Sequence, residues 1–225
     1  MMKRILFVLT NVGTMGDLDK ETGFHLPEVA HPYSILKDDF EIEFASIKGG
    51  FAHAVGLEDL EKDSVSRAFY LHHKDLFEKT KQLNTLNYTS YDAIFFPGGH
   101  GTMWDLPLNK DVSKAIIDIY ENKGVIASVC HGPVALVDVT LSNGDFLLKD
   151  KKITCFSNDE EESIKYGDTV PFLLETALLN NGAKYEKSDL WQEKVVVDSN
   201  IITGQNPASA FTVGAKIKEL LDKSN

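Results

Sequence analysis

The chain has 225 residues, of which 43% are hydrophobic and 25% charged, with a formal net charge of −11. That length and composition suit one sizeable α/β domain with its own core. The acidity weighs against nucleic acid and against an anionic membrane surface as partners, and no apolar window is long enough to span a bilayer.

Met1-Met2-Lys3-Arg4 has the charge of a targeting head, but the apolar run after it is too short for a signal peptide. Lys3 to Thr10 instead reads as a first buried strand, followed by a polar loop from Asn11 to Thr22. Pro27 to Leu36 is expected to be a short helix with Pro27 in its first turn and Pro32 as a kink. Glu41 to Ile47 is a second strand, stopped by Gly49-Gly50. Residues 51–90 are charged and helical in pattern, notably Leu71 to Leu83, and read as an insertion packed over the domain. Ala93 to Pro97 is a third buried strand. Lys110 to Asn122 is an amphipathic helix with a glycine stop at Gly124, and Val125 to Val129 is a fourth strand. Ile153 to Phe156 and Tyr185 to Ser188 are short strands on either side of a helix from Pro171 to Asn181. Val195 to Val197 and Ile201 to Thr203 form late strands joined by Asp198-Ser199-Asn200, and Pro207 to Leu221 is the closing helix.

Strands alternating with helices imply an open, mostly parallel sheet of the flavodoxin-like kind, covered on both faces, with its ligand site beyond the carboxyl ends of the strands. The organisation expected is a single domain over residues 1–225 with the insertion at 51–90.

The stretch Val125-Ile126-Ala127-Ser128-Val129-Cys130-His131-Gly132-Pro133 carries the strongest chemical signal. A buried strand that runs into Cys-His-Gly-Pro reads as a nucleophile elbow, with a helix starting near Gly132-Pro133. The positive end of such a helix would favour a thiolate at Cys130. A buried, inert thiol is the competing reading. Cys130 and Cys155 are the two cysteines, which suits free thiols in a cytoplasmic protein better than a disulfide scaffold. Phe95-Phe96-Pro97-Gly98-Gly99-His100-Gly101 follows the preceding strand, and its glycines let backbone N–H groups approach a bound oxygen. Glu28 taken alone is a favourable first-turn charge. Asp159-Glu160-Glu161-Glu162 reads as a solvated helix start capped by Ser157 or Asn158, from which one acid could orient a histidine.

Gly98-Gly99-His100-Gly101, Ala127 through Pro133, Thr22-Gly23 through Glu28, and Asn206-Pro207-Ala208-Ser209 together resemble the ThiJ/PfpI superfamily. Within it the chain is similar to the branch of heat-shock-induced chaperones and glutathione-independent glyoxalases, over essentially its whole length. The resemblance implies Cys130 as nucleophile, His131 as its partner and Glu28 as the acid beside the sulfur. Glu161 would orient the histidine, with Glu160 as the fallback. The oxyanion donors would be the backbone N–H groups of Gly99 and His131, with Gly98 and His100 lining the substrate site. His25 and His31 would at most shape it. The histidines lack metal-ligand spacing, so no zinc site is expected, and the implied chemistry needs no cofactor. Glu28 beside a thiolate is expected to have a raised pKa, because two adjacent negative charges oppose each other, and so to be protonated near neutral pH and to hydrogen-bond the sulfur.

The activity so implied is conversion of methylglyoxal to lactate through a Cys130 hemithioacetal, in a homodimer that takes a small reactive aldehyde. Alternatives kept open are a cysteine amidase or peptidase, repair of glycated amino acids, and a holdase or redox sensor. A glutamine amidotransferase would place a histidine–glutamate pair far downstream, and no such pair follows Cys130.

Overall fold

The computed structural model describes residues 2–58 and 60–223. In chain order its elements are β1 (Arg4–Leu9), β2 (Phe24–His25), α1 (Leu26–Leu36), β3 (Glu41–Ser46), β4 (Ala54–Val55), α2 (Ser64–His73), α3 (Asp75–Glu78) and β5 (Lys81–Gln82). There follow β6 (Ala93–Phe96), α4 (Thr102–Asp105), α5 (Lys110–Glu121), β7 (Val125–Val129), β8 (Lys152–Ile153) and α6 (Asn158–Ser163). The last are α7 (Leu174–Asn180), β9 (Lys184–Tyr185), β10 (Val195–Asp198), β11 (Ile201–Gly204) and α8 (Ala210–Lys223).

Seven strands make one sheet in the order β10-β11-β7-β6-β1-β3-β5. All pairings in it are parallel except that of edge strand β10 with β11. The central strands are apolar throughout because both faces are covered. In β1 the side chains alternate: Leu6 and Val8 face the core under α5, whereas Ile5, Phe7 and Leu9 face the core under α1 and α8. Phe7 meets Phe95 edge-on at 4.9 Å between ring centroids and Phe44 at 5.1 Å. From β1 the chain crosses to β3 on one side and returns to β6 on the other. The crevice opened by that reversal lies at the carboxyl ends of β1 and β6.

The open, mostly parallel sheet with helices on both faces therefore stands as expected, while several local readings change. Lys81–Gln82, inside the stretch read as helical, forms edge strand β5. The same stretch also carries β4, which pairs with β2, a strand the sequence reading did not find. Both are two residues long, too short for a period to register. At the end of α5 the left-handed turn is taken by Lys123 (φ 64°) and not by Gly124. The segment after Cys130 is a 3-10 stretch, Gly132–Leu136, and not a full helix. Its C-terminal neighbour Val137 is already extended. The helix expected from Pro171 starts at Leu174, and Lys152–Ile153 pairs with Lys184–Tyr185 in a separate two-stranded sheet. Pro32 does sit inside α1, where it removes one helical hydrogen bond.

Because Phe7 is fully buried between the sheet and α1, Phe7→Ala should lower the unfolding free energy by about 3–5 kcal/mol. Urea denaturation should show a lower midpoint with an unchanged slope.

Candidate active site

Strand β7 delivers Cys130 at its carboxyl end with φ 61°, a left-handed backbone that a non-glycine residue rarely adopts. Its amide donates to Gly204 O of β11 (2.9 Å) and its carbonyl accepts from Phe156 N (2.9 Å), so the turn is held on both sides. Strain of that kind aims the side chain into the crevice. The loop after β6 closes against it. A Cβ on Gly98 would lie 2.8 Å from Cys130 Cβ and 2.6 Å from His131 N, so nothing larger fits. Gly99 has φ +102°, which turns its backbone toward the sulfur.

Glu28, at the start of α1, has no exposed surface. Its Oε2 accepts a hydrogen bond from Gly98 N–H (2.8 Å). The backbone N–H of His25 donates in turn to Gly98 O (2.9 Å). The start of α1 and the Gly98-Gly99 loop are thus locked together beside the elbow.

Glu161 links two histidines. Its Oε2 lies 2.8 Å from His131 Nε2 and its Oε1 lies 2.9 Å from His100 Nε2. Burial pushes this carboxyl up, but the hydrogen bonds and charges of His100 and His131 outweigh it and bring the pKa down to about 2. Glu161 is therefore a carboxylate that only accepts, and both histidines present Nε2–H to it. That leaves His131 Nδ1 directed at Cys130 Sγ, 3.4 Å away. His100 is held near a pKa of about 4 by burial and by His131, and stays neutral at neutral pH. The rings of His100 and His131 lie 4.0 Å apart, with Phe156 against His131 at 4.4 Å.

The Cys130 thiol is not the pre-formed thiolate that a helix terminus would favour. Burial, and then the Glu28 carboxylate, push it well above its ordinary value, whereas hydrogen bonds from the His131 and Gly99 amides pull it down. The stub of 3-10 helix behind it has little dipole to offer. The same two amides point at the sulfur and at any oxyanion formed next to it.

The neighbouring acid behaves differently. Glu160 closes a capping box with Ser157 and accepts from Trp191 N (3.0 Å) and Asn206 Nδ2 (2.8 Å). It is fully buried, and its carboxylate is taken up by Ser157, Trp191 and Asn206 and not by the histidines. The acidic run read as solvated thus turns two of its members, Glu160 and Glu161, inward. His31 pairs with Asp63 at 2.7 Å, tying α1 to the N-cap of α2 away from the elbow. His25 faces the cavity next to Glu28.

The cavity over Cys130 has a volume of about 340 Å³. Its far walls are Met15, Lys20, Val55, Ile164, Tyr166 and Trp191, with Lys20 Nζ 4.1 Å from the centre of the Tyr166 ring. None of these was singled out in the sequence, because they come from β4 and three other segments with no motif of their own. Metal-ligating atoms of His100, His131 and Glu161 lie within 4.8 Å of one another, a set with the chemistry for a divalent ion. Their spacing along the chain conceals that set.

The DJ-1/PfpI family model matches residues 21–220, and the chain belongs to that family. It is 33% identical to the glyoxalase 3 of Candida albicans, over 93% of this chain and 94% of that protein. Among solved structures it is similar to the rapid encystment protein of 24 kDa from Francisella tularensis, with a TM-score of 0.91 and 40% identity over 97% of this chain and 98% of the other. It is also similar to the glyoxalase III of Candida albicans, with a TM-score of 0.85 and 27% identity over 97% of each. Among the described residues no helix is long and apolar enough to cross a membrane.

Glu161 holds its proton less tightly in the folded chain than its ordinary value of 4.5. Its contribution to stability is therefore present above that pH and is lost as pH falls toward about 2. The unfolding free energy of wild type minus that of Glu161→Gln should shrink over that interval and stay level above it. A difference independent of pH would show that the carboxylate does not carry the His100–Glu161–His131 link.

Proposed function

We propose that this chain is a glutathione-independent glyoxalase that converts methylglyoxal to lactate, with Cys130 as nucleophile. The observation that carries the reading is the convergence of Cys130 Sγ, His131 Nδ1 and the Glu28 carboxyl in one buried site under two backbone N–H donors. The likeness to proteins named as glyoxalases supports the choice of reaction.

The sulfur attacks the aldehyde carbon of methylglyoxal, and its proton passes to Glu28 or to His131 Nδ1. The aldehyde oxygen takes up the negative charge and accepts from the Gly99 and His131 amides. Protonation of that oxygen completes a hemithioacetal. His131 Nδ1 is placed to remove the hydrogen from the former aldehyde carbon, giving an enediol, while Glu161 holds the ring and balances its charge. Return of a proton to the adjacent carbon leaves the lactoyl thioester on Cys130. Water then cleaves that thioester, releasing lactate and restoring the thiol. The sum is methylglyoxal plus water to lactic acid, with no net oxidation, so the protein's own acids and bases suffice. In this scheme the raised thiol is an advantage. Sulfur leaves its proton only when an acceptor and an electrophile are both in place, which limits idle alkylation and oxidation.

Purified wild type should form lactate from methylglyoxal without glutathione. Cys130→Ala should lose at least about a thousandfold in turnover with its circular dichroism and melting temperature retained. Lactate formation at the wild-type rate in the variant would remove Cys130 from the reaction.

A further inference from the structure

Glu28 poses a problem that the scheme above leaves open. It is fully buried, its Oε2 is taken by the Gly98 amide, and any proton it gains from Cys130 needs a way out. Its other oxygen, Oε1, lies 3.1 Å from His25 Nδ1. The contact is short enough for an ion pair, yet too bent for a hydrogen bond, so both buried atoms are left without an aligned partner. Among the described residues neither buried atom has another partner, so a carboxylate oxygen and a ring nitrogen that can exchange a proton stand face to face. The His25 ring spans the gap, since its side chain is 26% exposed and lines the cavity. Gly56 makes room for it, because a Cβ there would come within 2.7 Å of His25 Nε2 and Cδ2.

We propose that His25 is the proton relay of this site, passing protons between the buried Glu28 carboxyl and the water of the cavity. The inference rests on the glyoxalase reading for its substrate, but the relay itself is a property of the Cys130–Glu28–His25 array. His25 acts through Glu28 and touches no reacting atom. When the sulfur's proton reaches Glu28, Oε1 gives a proton to His25 Nδ1, and Nε2 gives one to water; the reverse sequence reloads the acid. No bond to carbon forms or breaks, and each transfer conserves one proton. The groups that set the titration of His25 are Glu28 on α1 and Glu58 beyond β4, with Lys20, Glu21 and His100 around the cavity. Burial favours the neutral ring, but the Glu28 and Glu58 carboxylates outweigh it and raise the value above that of an ordinary histidine. An imidazole, which can accept a proton at one ring nitrogen and give one from the other, suits a relay.

Two variants test the idea, His25→Gln, which keeps the bulk and a hydrogen-bonding tip, and His25→Ala. Both retain the His25 position's backbone link to Gly98. Each should lower kcat on methylglyoxal by about tenfold to a hundredfold with KM little changed. Added imidazole should restore His25→Ala toward the wild-type rate, which a purely structural role would not permit. A second readout needs no glyoxalase turnover. Alkylation of Cys130 by iodoacetamide should show an inflection with pH in wild type, above the ordinary histidine value, that is missing in His25→Gln. Identical alkylation profiles in wild type and variant, or a kcat loss that imidazole leaves untouched, would overturn the relay. Lost inflection in a protein that forms no lactate would uphold the relay and sink the glyoxalase reading instead.

Discussion

The site depends on one electrostatic constraint: Cys130 and Glu28 are two acids buried in the same dry space. Both cannot be negative at modest cost, and the Glu28 carboxylate, after burial itself, is what holds the Cys130 thiol above its ordinary value. The sulfur therefore holds its proton more tightly than an ordinary cysteine. Its thiol is raised by burial and by Glu28, and hydrogen bonds from the His131 and Gly99 amides work against that rise. A fully solvated cysteine would be freer to ionise and would be exposed to every electrophile.

The rest of the architecture maintains that constraint. β7 ends in a left-handed residue, the β6 loop is stripped of side chains at Gly98, and α1 begins directly over the gap. The β6 loop and the start of α1 are held together by two hydrogen bonds, from His25 N–H to Gly98 O and from Gly98 N–H to Glu28 Oε2. Behind them the Phe7, Phe44 and Phe95 rings fill the sheet face, so the elbow rests on a packed core. The His131 side is built separately. The capping box of α6 fixes its first turn, and this sets Glu161 between the two histidines while Glu160 ties the Trp191 and Asn206 loops together.

The cavity walls add a second level of control. Lys20 over Tyr166 and Trp191 come from surface segments and line the cavity that contains Cys130. At about 340 Å³ the space holds a small aldehyde with several waters or a larger one with few. Its wall residues, and not the residues around the sulfur, are where discrimination between small carbonyl substrates would be made.

Most of the sheet was legible in the sequence because buried parallel strands leave continuous apolar runs, as in Ile5 to Leu9, Ala93 to Phe96 and Val125 to Val129. The elbow was legible because Cys-His-Gly-Pro directly follows such a run, and the Gly98-Gly99 loop because it follows the strand before it. The two-residue strands β2, β4 and β5 were not, since two residues carry no period. The truncated 3-10 stretch after Cys130 was hidden for another reason: only packing stopped a segment that starts with Gly-Pro from continuing as a helix. The sequence favoured Glu161 over Glu160 only through the family resemblance, because the choice depends on which side of a capped helical turn meets the histidines. It also could not assign a state to Cys130. Local sequence determines the order of strands and the residue at the elbow, because backbone preference and apolar runs act over a few neighbours. Tertiary structure decided the raised thiol of Cys130 beside Glu28, the approach of His25 and the double grip of Glu161, because burial and charge act between residues far apart in the chain.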